Sequence, residues 1–138
     1  MIEPEAFLDA NILLRHFIQD NPDQWPQCTA LISELSEGKR SVLITDTVIF
    51  ESVYVLEKQY RVQRVEIARQ LLEFIKMPTV VLSGKHFFSD TFDLYVRKRG
   101  LSFGDCYHAV FAMKSGIPRF LTFDRRMGSI PGLERIEP

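Results

Sequence analysis

Short, wholly apolar segments alternate along this chain with stretches whose apolar residues recur every three to four positions. Residues 42–44 (Val-Leu-Ile) and 79–82 (Thr-Val-Val-Leu) have no polar face to offer water, unlike the strands of a half-solvated antiparallel sheet. Such strands, separated by amphipathic helices, belong to a mainly parallel sheet covered on both faces. The pattern predicts an α/β fold, a three-layer α/β/α sandwich, formed by residues 1–138 as one domain. A length of 138 residues suits that reading and suffices to bury a real core.

The individual elements follow from periodicity and punctuation. Residues 5–9 read as a short strand running into an acid, and 10–18 as a short helix. Asn21, Pro22 and Asp23 interrupt the chain before a helix over about 24–36, which Gly38 stops. Helices are expected over about 47–60, capped by Thr45 or Asp46, and over about 64–76. Further helices follow over about 85–99 and, capped by Ser102, over about 103–115. Strands are expected over 119–123 and 133–136. No apolar run reaches the roughly 18 residues of a membrane span. Met-Ile-Glu-Pro-Glu lacks the basic region and apolar core of a signal peptide. Two cysteines, Cys28 and Cys106, are too few for a disulfide scaffold, so a reduced, cytoplasmic setting is expected.

Seventeen Lys and Arg against eighteen Asp and Glu give a net charge of -1, which argues against a protein that grips long duplexes by charge. The charge is uneven. Residues 1–56 carry nine acids and three bases, and residues 57–138 nine acids and fourteen bases. Arg61, Arg64, Arg69 and Lys76, then Arg97, Lys98 and Arg99, then Arg125 and Arg126, could rim an anionic substrate. Any one of these clusters taken singly reads better as solvated helix surface.

Four carboxylates stand out. Asp9 and Asp124 each follow a strand, where ligands bind in open parallel sheets, although aspartate is also common there as a turn and cap residue. Glu51 is the only charge in the ten residues from Thr47 to Leu56. Glutamate is rarely buried unpaired, so it faces an open stripe or meets a cation. Asp105 is the only charge between Leu101 and Ala112, in the first turn of its helix, where capping alone could account for it. Gathered together, four carboxylates would repel one another, and a hard divalent cation is the usual remedy. All-oxygen ligation suits Mg²⁺ or Mn²⁺, whereas zinc would want histidine or cysteine. That chemistry points to phosphodiester hydrolysis by metal-activated water. Asn11 and Thr122, each two positions from an acid, could orient water or phosphate. His108, three residues after Asp105, could steady that acid or touch phosphate, and Arg125 could support the substrate.

Four stretches, Phe-Leu-Asp9-Ala-Asn11-Ile-Leu, Phe-Glu51-Ser-Val-Tyr-Val-Leu, Phe-Gly-Asp105-Cys-Tyr-His-Ala and Leu-Thr122-Phe-Asp124-Arg-Arg-Met, resemble the motifs of the PIN domain, most closely those of small VapC-type toxins. The resemblance spans essentially the whole chain. It implies a metal-dependent endoribonuclease using Mg²⁺ or Mn²⁺, with Asp9, Glu51, Asp105 and Asp124 as both catalytic and metal-binding acids. It also implies an RNA substrate, a homodimer and a small cognate antitoxin, with no membrane association. Two features depart from the pattern: Met127 stands where an aromatic is frequent, and the segment 19–24 is rich in polar residues and proline. A phosphomonoesterase reading weakens because Asn11 stands where a second aspartate is wanted. A receiver domain wants adjacent acids before its first helix and a lysine late in the sheet, and neither is well placed here. A non-catalytic PIN-like interaction module is the remaining alternative, and retention of all four acids argues against it.

Overall fold

A computed structural model describes residues 3–138, so the expectations for Met1 and Ile2 lie outside the described residues. The chain divides into two compact units, Met1–Lys85 and His86–Pro138.

In the first unit, strand β1 (Ala6–Phe7) leads into helix α1 (Ala10–Ile18), helix α2 (Trp25–Ser36) and strand β2 (Val42–Ile44). Helix α3 (Asp46–Tyr54), helix α4 (Arg64–Ile75) and strand β3 (Val80–Leu82) follow. The sheet order is β1-β2-β3. Both pairings are parallel, with Ala6 opposite Val42 and Ile44 opposite Leu82. The expected strand at 42–44 is matched residue for residue, and the helix at 10–18 likewise.

Helix α1 ends without a glycine. Gln19 adopts the left-handed conformation, φ 59°, and its N–H donates to the Arg15 carbonyl. The core collects Leu13, Leu35, Ile44, Ile49, Leu56, Ile67, Leu71 and Phe74, all essentially inaccessible to water. Two buried hydroxyls keep this core free of polar orphans. Ser52 Oγ donates to the Val48 carbonyl at 2.7 Å, and Thr79 Oγ1 to the Leu35 carbonyl at 2.7 Å. The Thr79 bond adds a side-chain donor to a carbonyl in the last turn of α2 that also accepts from the Gly38 N–H at 3.2 Å.

The expected helix over 47–60 is divided. Regular α geometry stops at Tyr54, and Val55–Gln59 form a wider π turn, in which the Tyr60 N–H donates to the Val55 carbonyl. Arg61, in the left-handed conformation at φ 54°, follows the turn.

The second unit holds α5 (Phe88–Arg97), α6 (Phe103–Lys114), β4 (Arg119–Leu121) and β5 (Glu134–Ile136). Strands β4 and β5 pair in parallel, Arg119 opposite Glu134. Helices α5 and α6 pack through aromatic rings. Phe92 and Phe103 have centroids 4.8 Å apart, Phe88 and Tyr107 5.2 Å, and Tyr95 meets Phe103 edge-on at 5.4 Å. Phe88 and Phe92 are fully buried, which assigns them to the core. Every strand pair among the described residues is parallel, as the apolar strands predicted.

Candidate active site

Asp9 lies just past β1. The strand's last ladder bond runs from the Leu8 N–H to the Leu43 carbonyl, at 3.0 Å. Asp9 then takes extended backbone angles and caps α1 through its carbonyl, which accepts from the Ile12 N–H. Its side chain does not cap the helix, although aspartate at this position normally does. The carboxylate is exposed and, among the described residues, has no hydrogen bond or ion pair. Turn and capping duty therefore does not account for it. Asn11, also exposed, stands in the first turn of α1 and lines an adjoining cavity.

Glu51 resolves the alternatives left open by its apolar surroundings. Val48, Ile49, Ser52 and Val53 form the buried stripe of α3, and Glu51 lies on the solvent side with no side-chain partner among the described residues. Helices α1 and α3 pack together, so Asp9 and Glu51 belong to neighbouring elements of one unit. Asp46, in the same unit, opens α3 just beyond β2, beside the end of β1. Its Oδ1 accepts from the Thr47 N–H at 2.8 Å. Sequence alone marks Asp46 only as a cap; its position just past a strand, shared with Asp9, is the signal that makes it a further acid at the carboxyl end of this sheet.

In the second unit Asp105 is the third residue of α6 and completes a capping box. Its N–H donates to Ser102 Oγ at 3.1 Å, and its Oδ2 accepts from the Ser102 N–H at 3.1 Å. Asp124 follows β4 and is held more tightly. Arg126 donates from Nε to Oδ1 at 3.0 Å and from Nη2 to Oδ2 at 2.7 Å, and its backbone N–H also reaches Oδ1. These bonds hold the Asp124 carboxyl below the usual carboxylate range. Asp105 adds to the negative field on Arg126, which bonds directly to Asp124.

Residues 6–133 match the PIN domain family. The chain belongs to the PIN domain family. It is also similar to the VapC ribonuclease of Aquifex aeolicus (strain VF5), 28% identical over 131 residues that cover 95% of each protein.

Within this PIN domain the supporting residues fall into different places. The Thr122 hydroxyl accepts from the Asp124 N–H at 3.0 Å, fixing the backbone that carries the acid. His108 is exposed, its ring edge-on to Tyr107 at 6.2 Å, with no bond to Asp105 among the described residues. It does not steady Asp105, as its spacing suggested it could, because its position on α6 turns it to solvent. Arg125 is exposed without a partner among the described residues. Met127 is buried, so the position that is often aromatic keeps its apolar packing role here. Much of the basic surface is spoken for: Arg64 pairs with Glu57, Arg69 with Glu66 and Arg97 with Asp93. That pairing favours solvated helix surface over a continuous phosphate rim.

The donor set is all oxygen, and Asp9 and Glu51 hold carboxylates that no bond engages among the described residues. This chemistry fits a hard divalent cation and not zinc. Among the described residues no three His, Cys, Asp or Glu side chains stand close enough together to hold an ion. Asp9 and Glu51 belong to the first unit, and Asp105 and Asp124 to the second. Also among the described residues, no helix is long and apolar enough to cross a membrane.

Proposed function

We propose that this PIN domain is a metal-dependent endoribonuclease, the toxin of a toxin–antitoxin pair acting in the cytoplasm. The observation that carries this reading is the Asp9 carboxylate, which ends a parallel strand and neither caps its helix nor pairs with a cation. An acid left without structural work on a family motif is most simply explained by chemistry. Likeness to a VapC ribonuclease along nearly the whole chain supports the same substrate class.

Asp9, Glu51, Asp105 and Asp124 would hold Mg²⁺ or Mn²⁺. A bound divalent ion supplies Lewis acidity and lowers the pKa of water so that it can attack phosphorus at neutral pH. The chain's own groups do the positioning. Asn11 offers an amide that can donate to a phosphate oxygen or accept from water. Arg125 offers a free guanidinium for a substrate phosphate. Thr122 fixes the backbone of Asp124, and Ser102 that of Asp105. Attack by water leaves a 5′-phosphate and a 3′-hydroxyl and does not consume the 2′-hydroxyl of RNA. A homodimer and a small cognate antitoxin complete the proposal.

The test is cleavage of labelled single-stranded RNAs by purified protein, with and without Mg²⁺ or Mn²⁺, beside an Asp9→Asn protein. Metal-dependent cutting that disappears in the variant and leaves 5′-phosphate ends supports the reading. A 2′,3′-cyclic phosphate product, or equal cutting by both proteins, overturns it.

A further inference from the structure

The first unit carries a cavity of about 650 Å³ whose lining begins at Asn11, two residues beyond Asp9. Its polar lining comprises Asn11, Arg15, Gln24, Gln27 and Arg40, above an apolar floor that includes Cys28. The volume lies in the range of sites that bury a small ligand and exceeds what packing irregularity leaves. No carboxylate lines it. Three amides and two guanidinium groups do, which is the chemistry that reads nucleobase edges and grips phosphates.

The geometry is held in place by the segment before α2. Asn21 Oδ1 accepts from the N–H groups of Asp23 and Gln24, at 3.1 and 3.2 Å, and its carbonyl from the Trp25 N–H at 2.9 Å. The turn so fixed presents Gln24, whose Oε1 accepts from Arg15 Nε at 2.9 Å. Arg15 lies one helical turn beyond Asn11, on the same side of α1. The two arginines are not equally committed. Arg40 Nε is 2.6 Å from Glu5, a short ion pair, whereas Arg15 Nη1 is 4.0 Å from Asp20, at the limit of one. Arg15 is therefore the cation that can exchange its carboxylate for a phosphate without losing its orientation by Gln24.

We infer that this cavity is a nucleotide subsite for the single-stranded RNA flanking the scissile bond, with Arg15 taking a backbone phosphate and Gln24 and Gln27 facing the base. The inference rests on the nuclease reading above. It also gives the polar segment 19–24 a role in substrate choice, because that segment fixes Arg15 and supplies Gln24.

The test is fluorescence anisotropy of labelled single-stranded RNA oligonucleotides in EDTA, which prevents metal-dependent cutting, followed by cleavage-site mapping of an RNA panel with Mn²⁺. Arg15→Gln should weaken RNA binding about tenfold at low salt. It should also flatten the dependence of log affinity on log salt by about 0.7, the share of one single-strand phosphate. Arg15→Lys should keep that salt slope, and Gln27→Glu, at an exposed position, should shift the preferred cleavage sites. Thermal melts accompany each variant, since a folding defect would not move the salt slope selectively. If Arg15→Gln and Gln27→Glu bind and cut as the native protein does, while Asp9→Asn abolishes cutting, the subsite is wrong and the nuclease reading stands. If the native protein neither binds nor cuts RNA, both fall.

Discussion

Arg126 closes on both carboxylate oxygens of Asp124, two residues earlier, and with its remaining Nη1 donates to the Gly100 carbonyl at 2.8 Å. One side chain thus orients the acid that follows β4 and ties it to the turn ahead of α6. A guanidinium so placed also offsets negative charge that a divalent ion would otherwise feel.

Removing it should therefore raise metal affinity. In Arg126→Ala, Mn²⁺ binding by calorimetry is expected to tighten roughly fivefold, the effect of one unit charge on a divalent ion about 8 Å away in water. The melting temperature should barely move, because the pair is exposed. Weaker Mn²⁺ binding would show instead that Arg126 serves chiefly to position Asp124.

Asp9→Asn and Glu51→Gln separate chemistry from folding. Neither carboxylate has an internal partner among the described residues, so both variants should melt within a few degrees of the native protein. Cleavage should fall at least about a hundredfold, the usual loss when a group stabilising transition-state charge is removed. A large drop in melting temperature would reveal a structural role that the geometry does not contain.

Asp105 behaves differently because it also caps α6. Ser102→Ala should cost about 1 kcal/mol in urea unfolding, and Asp105→Ala a similar amount, through loss of the capping box. Ser102→Ala should retain most of its metal-dependent cleavage, and Asp105→Ala should not. Equal loss of activity in the two would mean that helix order, and not the carboxylate, limits the reaction.

His16 makes stability depend on pH. Its Nδ1 lies 2.8 Å from Thr29 Oγ1, between α1 and α2. Burial pushes its pKa below the ordinary value near 6.5, with Glu73 pulling part of the way back. The folded protein thus binds this proton less readily than the unfolded chain does. The stabilisation is fully present above about pH 6.5 and is lost as pH falls through and below that value. Urea unfolding between pH 5 and 8 should show this slope, and His16→Gln should flatten it.

Two phenylalanines test the core. Phe92 is fully buried between rings, and Phe92→Ala should cost about 3–5 kcal/mol. Phe123 is 74% exposed, and Phe123→Ala should change stability by no more than about 0.5 kcal/mol in either direction. Denaturation curves of the two variants decide the matter.

The amino-acid sequence by itself determined the order of helices and strands and the parallel pairing, and it singled out four candidate acids. Those properties depend on local periodicity and on which residue types tolerate burial. The apolar run at 42–44 is a strand, with Val42 and Ile44 buried and Leu43 exposed, and the three-to-four spacing of Cys28, Leu31, Ile32 and Leu35 marks one face of a helix. Tertiary structure alone decided what each carboxylate does. Asp9 and Asp105 both stand at helix starts, yet only the Asp105 side chain takes part in capping, because Ser102 presents its N–H to it. Asp124 is gripped by an arginine two residues away, while Glu51 faces water from an otherwise buried helix. The break of α3 at Tyr54 was equally invisible, since no proline or glycine marks it. A hydrogen bond depends on backbone angles and on neighbours set by folding, and spacing along the chain does not encode these.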